Sequence, residues 1–311
     1  MAYDLTKPLV IGISSRALFD LEEENRIFEE HGLKAYEAYQ VAHEKDILEK
    51  GTAFPLVKAF LELNHLQKQR LVEVIIMSRN SPNTSLRIFN SIAHYGLDIT
   101  RAALTGGISI APYLHAFKTD LFLSANSDDV QQAVDSNIAA GVILSGSLTC
   151  AAGDKVKQIR IAFDGDAVLF SAASERIYQQ QGIDAFSEFE RTNADIPMEK
   201  GPFANFLLTL AHIQSQFSDR DSSPIRTALV TSRGAPAHER AVKTLRSWGV
   251  RIDEAFFLGG VSKKEVLSAF GAHIFFDDQY FHAGPASEVV PAAVVPYREG
   301  EDPKQKEKKH E

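Results

Sequence analysis

Between residues 162 and 171 the chain reads AFDGDAVLFS, an apolar run that ends in two carboxylates, Asp164 and Asp166, around one glycine. Like charges this close repel, so packing alone disfavours them and a partner of opposite charge is expected. Further polar groups follow in order: Thr231, Ser232 and Arg233 after the run TALV, Lys263 at the start of a helical stretch, and Asp277 and Asp278 after HIFF. Carboxylates gathered at one rim need a hard cation, and a set of oxygen ligands with few other donors suits Mg2+. A metal held in this way leaves positions open for a phosphate, while Lys263 and the hydroxyl and amide donors around Thr231 supply positive potential and hydrogen bonds. The chemistry expected is phosphoryl transfer. Asp-Gly-Asp alone is commonly a turn; the four elements occurring in this order carry the discrimination.

Such groups meet only if the elements that bear them end at one rim. Short apolar runs at 9–13, 72–77, 102–104, 119–123 and 141–144 read as buried strands, as do runs at 159–163, 226–231, 255–258, 273–276 and 292–295. Helical stretches separate them, among them 53–63, 83–95, 203–217 and 236–248. Another begins near Asp20, an expected N-cap with Glu23 three residues on. Pro236 is expected at a helix start and Gly249 at its end. Alternating strands and helices predict an α/β fold with a parallel sheet and helices on both faces, with ligands at the carboxyl ends of the strands.

The two sets of runs repeat. NRIFEEHGLKAYEAY (25–39) lies over ERIYQQQGIDAFSEF (175–189), VIIMSRNSP (74–82) over ALVTSRGAP (228–236), and YGLDITRAALTGG (95–107) over WGVRIDEAFFLGG (248–260). This predicts two doubly wound, Rossmann-like halves arising from an internal duplication: residues 1–148, residues 158–297, and a charged tail at 298–311. The first half lacks the charged set. Ser14 and Arg16 stand opposite Asp164 and Asp166, Met77 opposite Thr231, Ile110 opposite Lys263, and Ser124 and Ala125 opposite Asp277 and Asp278. It is expected to have a structural, substrate-binding or effector role. Arg16, which replaces a carboxylate, is a candidate for anion recognition, as Ser232 and Arg233 are in the second half.

Composition limits the rest. Lys and Arg total 33 against 41 Asp and Glu, a net charge of -8, which argues against a nucleic-acid polymer as partner. The single cysteine, Cys150, excludes an intramolecular disulfide and a Cys-x-x-Cys redox pair. The N-terminus carries too short an apolar run for a signal core or a membrane span, so a cytoplasmic protein is expected. No histidine falls in a metal-binding spacing, although His282 follows the acidic pair closely. The stripe Phe203, Phe206, Leu207, Leu210 and Ile213 has helical spacing and reads as core.

DGDAVLF, the LVTSR strand end, Lys263 and FFDDQ resemble the four motifs of the haloacid dehalogenase superfamily of phosphatases. More narrowly, SSRALF (14–19), TGG (105–107), AFDGDAVLFS (162–171), KTLRSWG (243–249) and HIFFDDQ (273–279) resemble the cytosolic type I 5'-nucleotidases. The resemblance runs from about Val10 to Tyr297. It implies that Asp164 is the nucleophile, Asp166 the acid and then base, Thr231 a phosphate ligand and Lys263 a neutralising cation. It further implies that Asp164, the Asp166 carbonyl and one or both of Asp277 and Asp278 hold Mg2+. A nucleoside monophosphate, AMP first, is the implied substrate, and oligomers are expected from the family. The rival readings are another small-molecule phosphatase or phosphotransferase of this fold, and a non-catalytic nucleotide sensor.

Overall fold

The computed structural model describes residues 3–66, 68–144, 158–217, 223–298 and 300–302. The boundary between the halves is expected near 144–158, and of it residues 145–157, with Cys150, lie outside the described residues, as do residues 303–311 of the expected tail. Among the described residues ten strands form: β1 Leu9–Ile13, β2 Val72–Ser78, β3 Arg101–Leu104, β4 Leu121–Ser124, β5 Ala139–Ile143, β6 Ile159–Phe163, β7 Ile225–Thr231, β8 Glu254–Phe257, β9 Ile274–Asp277 and β10 Ala292–Val294. Each lies on an apolar run expected from the sequence. β1 and β2 are buried along their whole length, as strands covered on both faces must be.

All ten strands belong to one sheet in the order β3-β2-β1-β4-β5-β10-β9-β6-β7-β8. Each half thus has the same order counted from its outer edge. Neighbours within a half are parallel, whereas β5 and β10 are antiparallel, with Ala293 opposite Ile143 and Val294 opposite Val142. The halves therefore join edge to edge in a mixed sheet rather than packing as two separate sheets. Pairing β5 with β10 satisfies backbone groups that would otherwise form two open edges. It also turns the carboxyl ends of the first-half strands toward one rim of the sheet and those of the second half toward the opposite rim.

Alternation along the strands divides the core. Ile11, Ile13, Val74, Ile76, Leu123, Ile161, Phe163 and Phe276 share one apolar cluster that runs through both halves. On the other face Val10, Ile75, Met77 and Phe122 form one cluster, and Ala162, Ala228, Val230 and Phe275 form another. Residues two apart point to the same side, so one face has a continuous core and the other has two. The expected stripe on helix Ala204–Ser215 is buried: Phe206, Leu207, Leu210 and Ile213, with Phe203 just ahead, pack in the shared cluster.

Three local expectations change. The long helix Glu22–Ala42 starts after Leu21, and Asp20 accepts from the Glu22 amide at 3.1 Å instead of capping the helix. Helix His238–Ser247 begins two residues beyond Pro236, while Gly249 follows it with φ 66°. The third change concerns the repeat. Leu9 pairs with Val72 and Ile159 with Ile225, so the register places Ser78, not Met77, opposite Thr231. Matching the Ser-Arg letters of the two halves shifts the alignment by one residue. Hydrogen bonds confirm the register: Ser78 Oγ accepts from the Asn80 amide at 3.1 Å, as Thr231 Oγ1 does from the Arg233 amide at 3.2 Å.

Candidate active site

The site is built at the carboxyl rim of the second half. β6 is followed directly by Asp164, whose amide donates to the Phe276 carbonyl on β9 at 2.8 Å, so the two acidic strand ends are tied together. Beyond it the chain forms a wide turn over Gly165–Leu169, with Asp166 extended and Ala167 left-handed at φ 59°. A non-glycine residue in that region is uncommon and requires support from its surroundings. Support comes from Gly201, whose amide donates to the Leu169 carbonyl at 2.8 Å. In the first half the same place holds a short helix, Ser15–Leu18, capped by Ser14 accepting from the Ala17 amide. One strand end thus leads to a capped helical turn, the other to an open turn that presents two carboxylates.

Asp164, Asp277 and Asp278 each offer an oxygen such that these atoms all lie within 4.8 Å of one another, and all three residues are buried. Lys263, only 2% exposed and at the start of helix Lys263–Phe270, donates to Asp277 Oδ2 at 2.6 Å. Its Nζ also stands 2.8 Å from Asp164 Oδ1 as an ion pair. That oxygen is buried, and Lys263 is its charged partner.

Burial first, and then the neighbouring Asp277 charge, push the Asp164 carboxyl up to about 6 against the pull of Lys263. Asp278 is held well above the ordinary carboxylate range by burial and by Asp164 and Asp277. Asp277 is raised by burial despite Lys263. Lys263 itself is raised, because Asp164 and Asp277 outweigh its burial. Three buried acids and one lysine leave excess negative charge. The donor set therefore fits a hard divalent cation.

Asp166 is held differently. Arg233 grips it with two hydrogen bonds, Nε to Oδ2 at 2.8 Å and Nη2 to Oδ1 at 2.6 Å. The same guanidinium pairs with Glu190, which also accepts from Arg240 at 3.0 Å and from Ser174 at 2.7 Å. Glu190 and Arg233 are both buried. Arg233 therefore positions Asp166 instead of pointing freely at the rim. Thr231 ends β7 and faces Gly165, where an added Cβ would stand 3.2 Å from Thr231 Oγ1. Ser232 follows it and is exposed. His282 lies close enough to Lys263 and Asp164 to feel both charges, and burial lowers its pKa.

Sequence reasoning missed Glu175, Glu190 and Tyr297. Tyr297 donates to Asp278, and Glu175 accepts from Gln179 at 2.8 Å and Gln279 at 3.4 Å. Burial raises the Glu175 carboxyl, with Asp166 and Asp164 adding to it. The repeat held a signal for two of these: Glu175 falls opposite Asn25 and Glu190 opposite Gln40, so each adds a charge where the first half is neutral. Arg16 is not brought to this cluster. It follows β1, at the opposite rim, and binds Asn25 at 2.9 Å and Glu22 at 3.1 Å.

A family model described as 5'-nucleotidase matches residues 1–302. Human cytosolic 5'-nucleotidase 1B is 40% identical over 284 residues, which cover 88% of this chain and 46% of that protein. The chain thus spans about half the length of this curated relative. No solved structure matches. With the family match running through both halves of the sheet and through every strand end that bears an acidic or basic side chain, the chain belongs to the 5'-nucleotidase family.

Proposed function

We propose that this chain is a Mg2+-dependent 5'-nucleotidase that hydrolyses nucleoside 5'-monophosphates, with AMP the first substrate, through an aspartyl-phosphate on Asp164. The observation that carries the reading is the buried trio Asp164, Asp277 and Asp278, with a single buried lysine, Lys263, paired to two of them. Asp164, the Asp166 carbonyl, Asp277 and Asp278 would hold Mg2+, which when bound offsets charge on the phosphate and the carboxylates. An Asp164 oxygen attacks phosphorus and the bond to the 5' oxygen breaks. Asp166 donates its proton to that departing oxygen, and the nucleoside leaves. Asp166 then takes a proton from water, the water oxygen attacks phosphorus, and the Asp164–phosphorus bond breaks to release phosphate.

Thr231 and the neighbouring Ser232 donate hydrogen bonds to phosphate oxygens, and Lys263 neutralises the nucleophile and the transferring group. Arg233 grips Asp166 with two hydrogen bonds, so Asp166 takes up its acid–base role by leaving that pairing as substrate arrives. The same strand order in the two halves, with the same side-chain contacts at β2 and β7, supports descent from one duplicated unit. Among the described residues no helix is long and apolar enough to cross a membrane. Homo-oligomers, as expected from the resemblance, would be read by light scattering.

Phosphate release is the test, from a panel of nucleoside monophosphates and sugar phosphates, with Mg2+ or with a chelator. Release from AMP should fall at least ~1000-fold in Asp164→Asn and on chelation. Full activity of either would overturn the reading, and a preference for sugar phosphates would replace the substrate.

A further inference from the structure

At the opposite rim, the first half encloses a cavity of about 470 Å³ at the ends of β1, β2 and β4. It occupies the place that the acidic site takes in the second half. Its lining includes Ser14, Arg16, Ser78, Ser124, Phe28 and Tyr36. We propose that this cavity is a second ligand site, which binds a nucleoside monophosphate directly, without metal and without hydrolysing it.

The argument rests on an inversion of polarity. The sheet register places Ser14 opposite Asp164, Arg16 opposite Asp166, Ser78 opposite Thr231 and Ser124 opposite Asp277. Carboxylates accept hydrogen bonds and call for a cation. The three serines do the reverse, because each oxygen is already engaged by a backbone amide. Ser14 accepts from Ala17 at 3.2 Å, Ser78 from Asn80 at 3.1 Å and Ser124 from Asn126 at 3.0 Å. The hydroxyl protons of Ser14 and Ser124 are thereby left to donate toward an anion, whereas Ser78 Oγ also stands 3.2 Å from Ser15 Oγ, where either hydroxyl can be the donor. Arg16 adds a positive charge, and its Nε is buried without a hydrogen-bond partner.

Two of the three acids that line the cavity are already paired. Asp129 is paired with Arg79 and Glu24 with Arg87, while Glu22 takes Arg16 Nη2 and leaves Nε unengaged. Glu37 is half-buried on the wall. The remaining wall suits a base and sugar. Phe28 and Tyr36 meet edge to face with centroids 6.0 Å apart, and Phe28 is 47% exposed. The Gly106–Gly107 turn has positive φ at both residues, and no atom lies within 4 Å of a Cβ added at either, so the mouth is open there. The volume is that of a small-ligand pocket. Nothing here can repeat the chemistry of the other rim, since Ile110 stands in the place of Lys263 and no carboxylate stands in the place of Asp164.

Equilibrium dialysis of AMP against the full chain in excess chelator tests the proposal, because metal-free carboxylates at the other rim repel the phosphate. One AMP should bind per chain, at least ~10-fold more weakly in Arg16→Gln and in Ser124→Ala, and unchanged in Asp164→Asn. Adenosine, which lacks the phosphate, should bind at least ~10-fold more weakly than AMP. Thermal melts of both variants that match the wild type exclude misfolding as the cause. No binding in chelator, undiminished binding in both folded variants, equal binding of adenosine, or loss in Asp164→Asn would each overturn it. Phosphate release from the second half does not enter these readouts, so the nucleotidase reading stands or falls separately.

Discussion

Asp278 shows how one residue can weaken a metal-free protein and strengthen a loaded one. Its carboxyl is raised well above the ordinary value by burial and by Asp164 and Asp277. A raised carboxylate binds its proton more tightly folded than unfolded, so stability falls as pH climbs through the ordinary value toward the folded one. At pH 8 in chelator, Asp278→Asn should therefore raise the melting temperature. In excess Mg2+ the order should reverse, because the wild type gains binding energy that the variant has partly lost. Scanning calorimetry of both proteins in both buffers checks this, and a variant that is less stable in chelator would show that the cluster is not short of positive charge. Asp164, Lys263 and the Asp277-Asp278 pair were legible from the sequence, because each follows or precedes an apolar run at a strand end. Tyr297 and Glu190 were not. Their partners, Asp278 and Arg233, lie 19 and 43 residues away, and no local spacing links them.

At the scale of elements, the turn Gly165–Leu169 decides which half can present two carboxylates. It is held down by the segment that carries Gly201. A Cβ at Gly201 would lie 2.4 Å from the Phe170 carbonyl oxygen and 2.5 Å from that of Val168, contacts that backbone cannot relieve cheaply. Gly201→Ala should cost about 2 kcal/mol or more and, by moving the turn, lower kcat more than it changes KM for AMP. Urea melts and steady-state kinetics would show it; unaltered stability would mean that the turn does not rest on this segment. Strands and helices were legible here from apolar periodicity, whereas the conformation of the turn was not. DGDAV and SSRAL look alike as short polar breaks, but one opens with a serine that caps a helix and the other does not.

The whole molecule depends on one antiparallel seam. Gly141 in β5 faces β10 so closely that an added Cβ would lie 2.9 Å from the Ala293 Cβ and 3.4 Å from the Phe276 ring. Ala293 has no flexible end that could give way. Gly141→Val should destabilise the chain by about 1–3 kcal/mol and loosen β10, together with the Asp278–Tyr297 contact that follows it. Hydrogen exchange should then rise first in β5 and β10; protection unchanged in both strands would contradict the role of the seam. The sequence by itself determined the element types, the repeat and the identity of the acidic set, because apolar period and strand-end chemistry are local properties. Only the tertiary structure decided that the halves share one sheet, that their carboxyl rims face opposite ways, and that Ser78 rather than Met77 matches Thr231. Those facts depend on hydrogen-bond register and strand direction between segments far apart in the chain, which no local pattern of residues encodes.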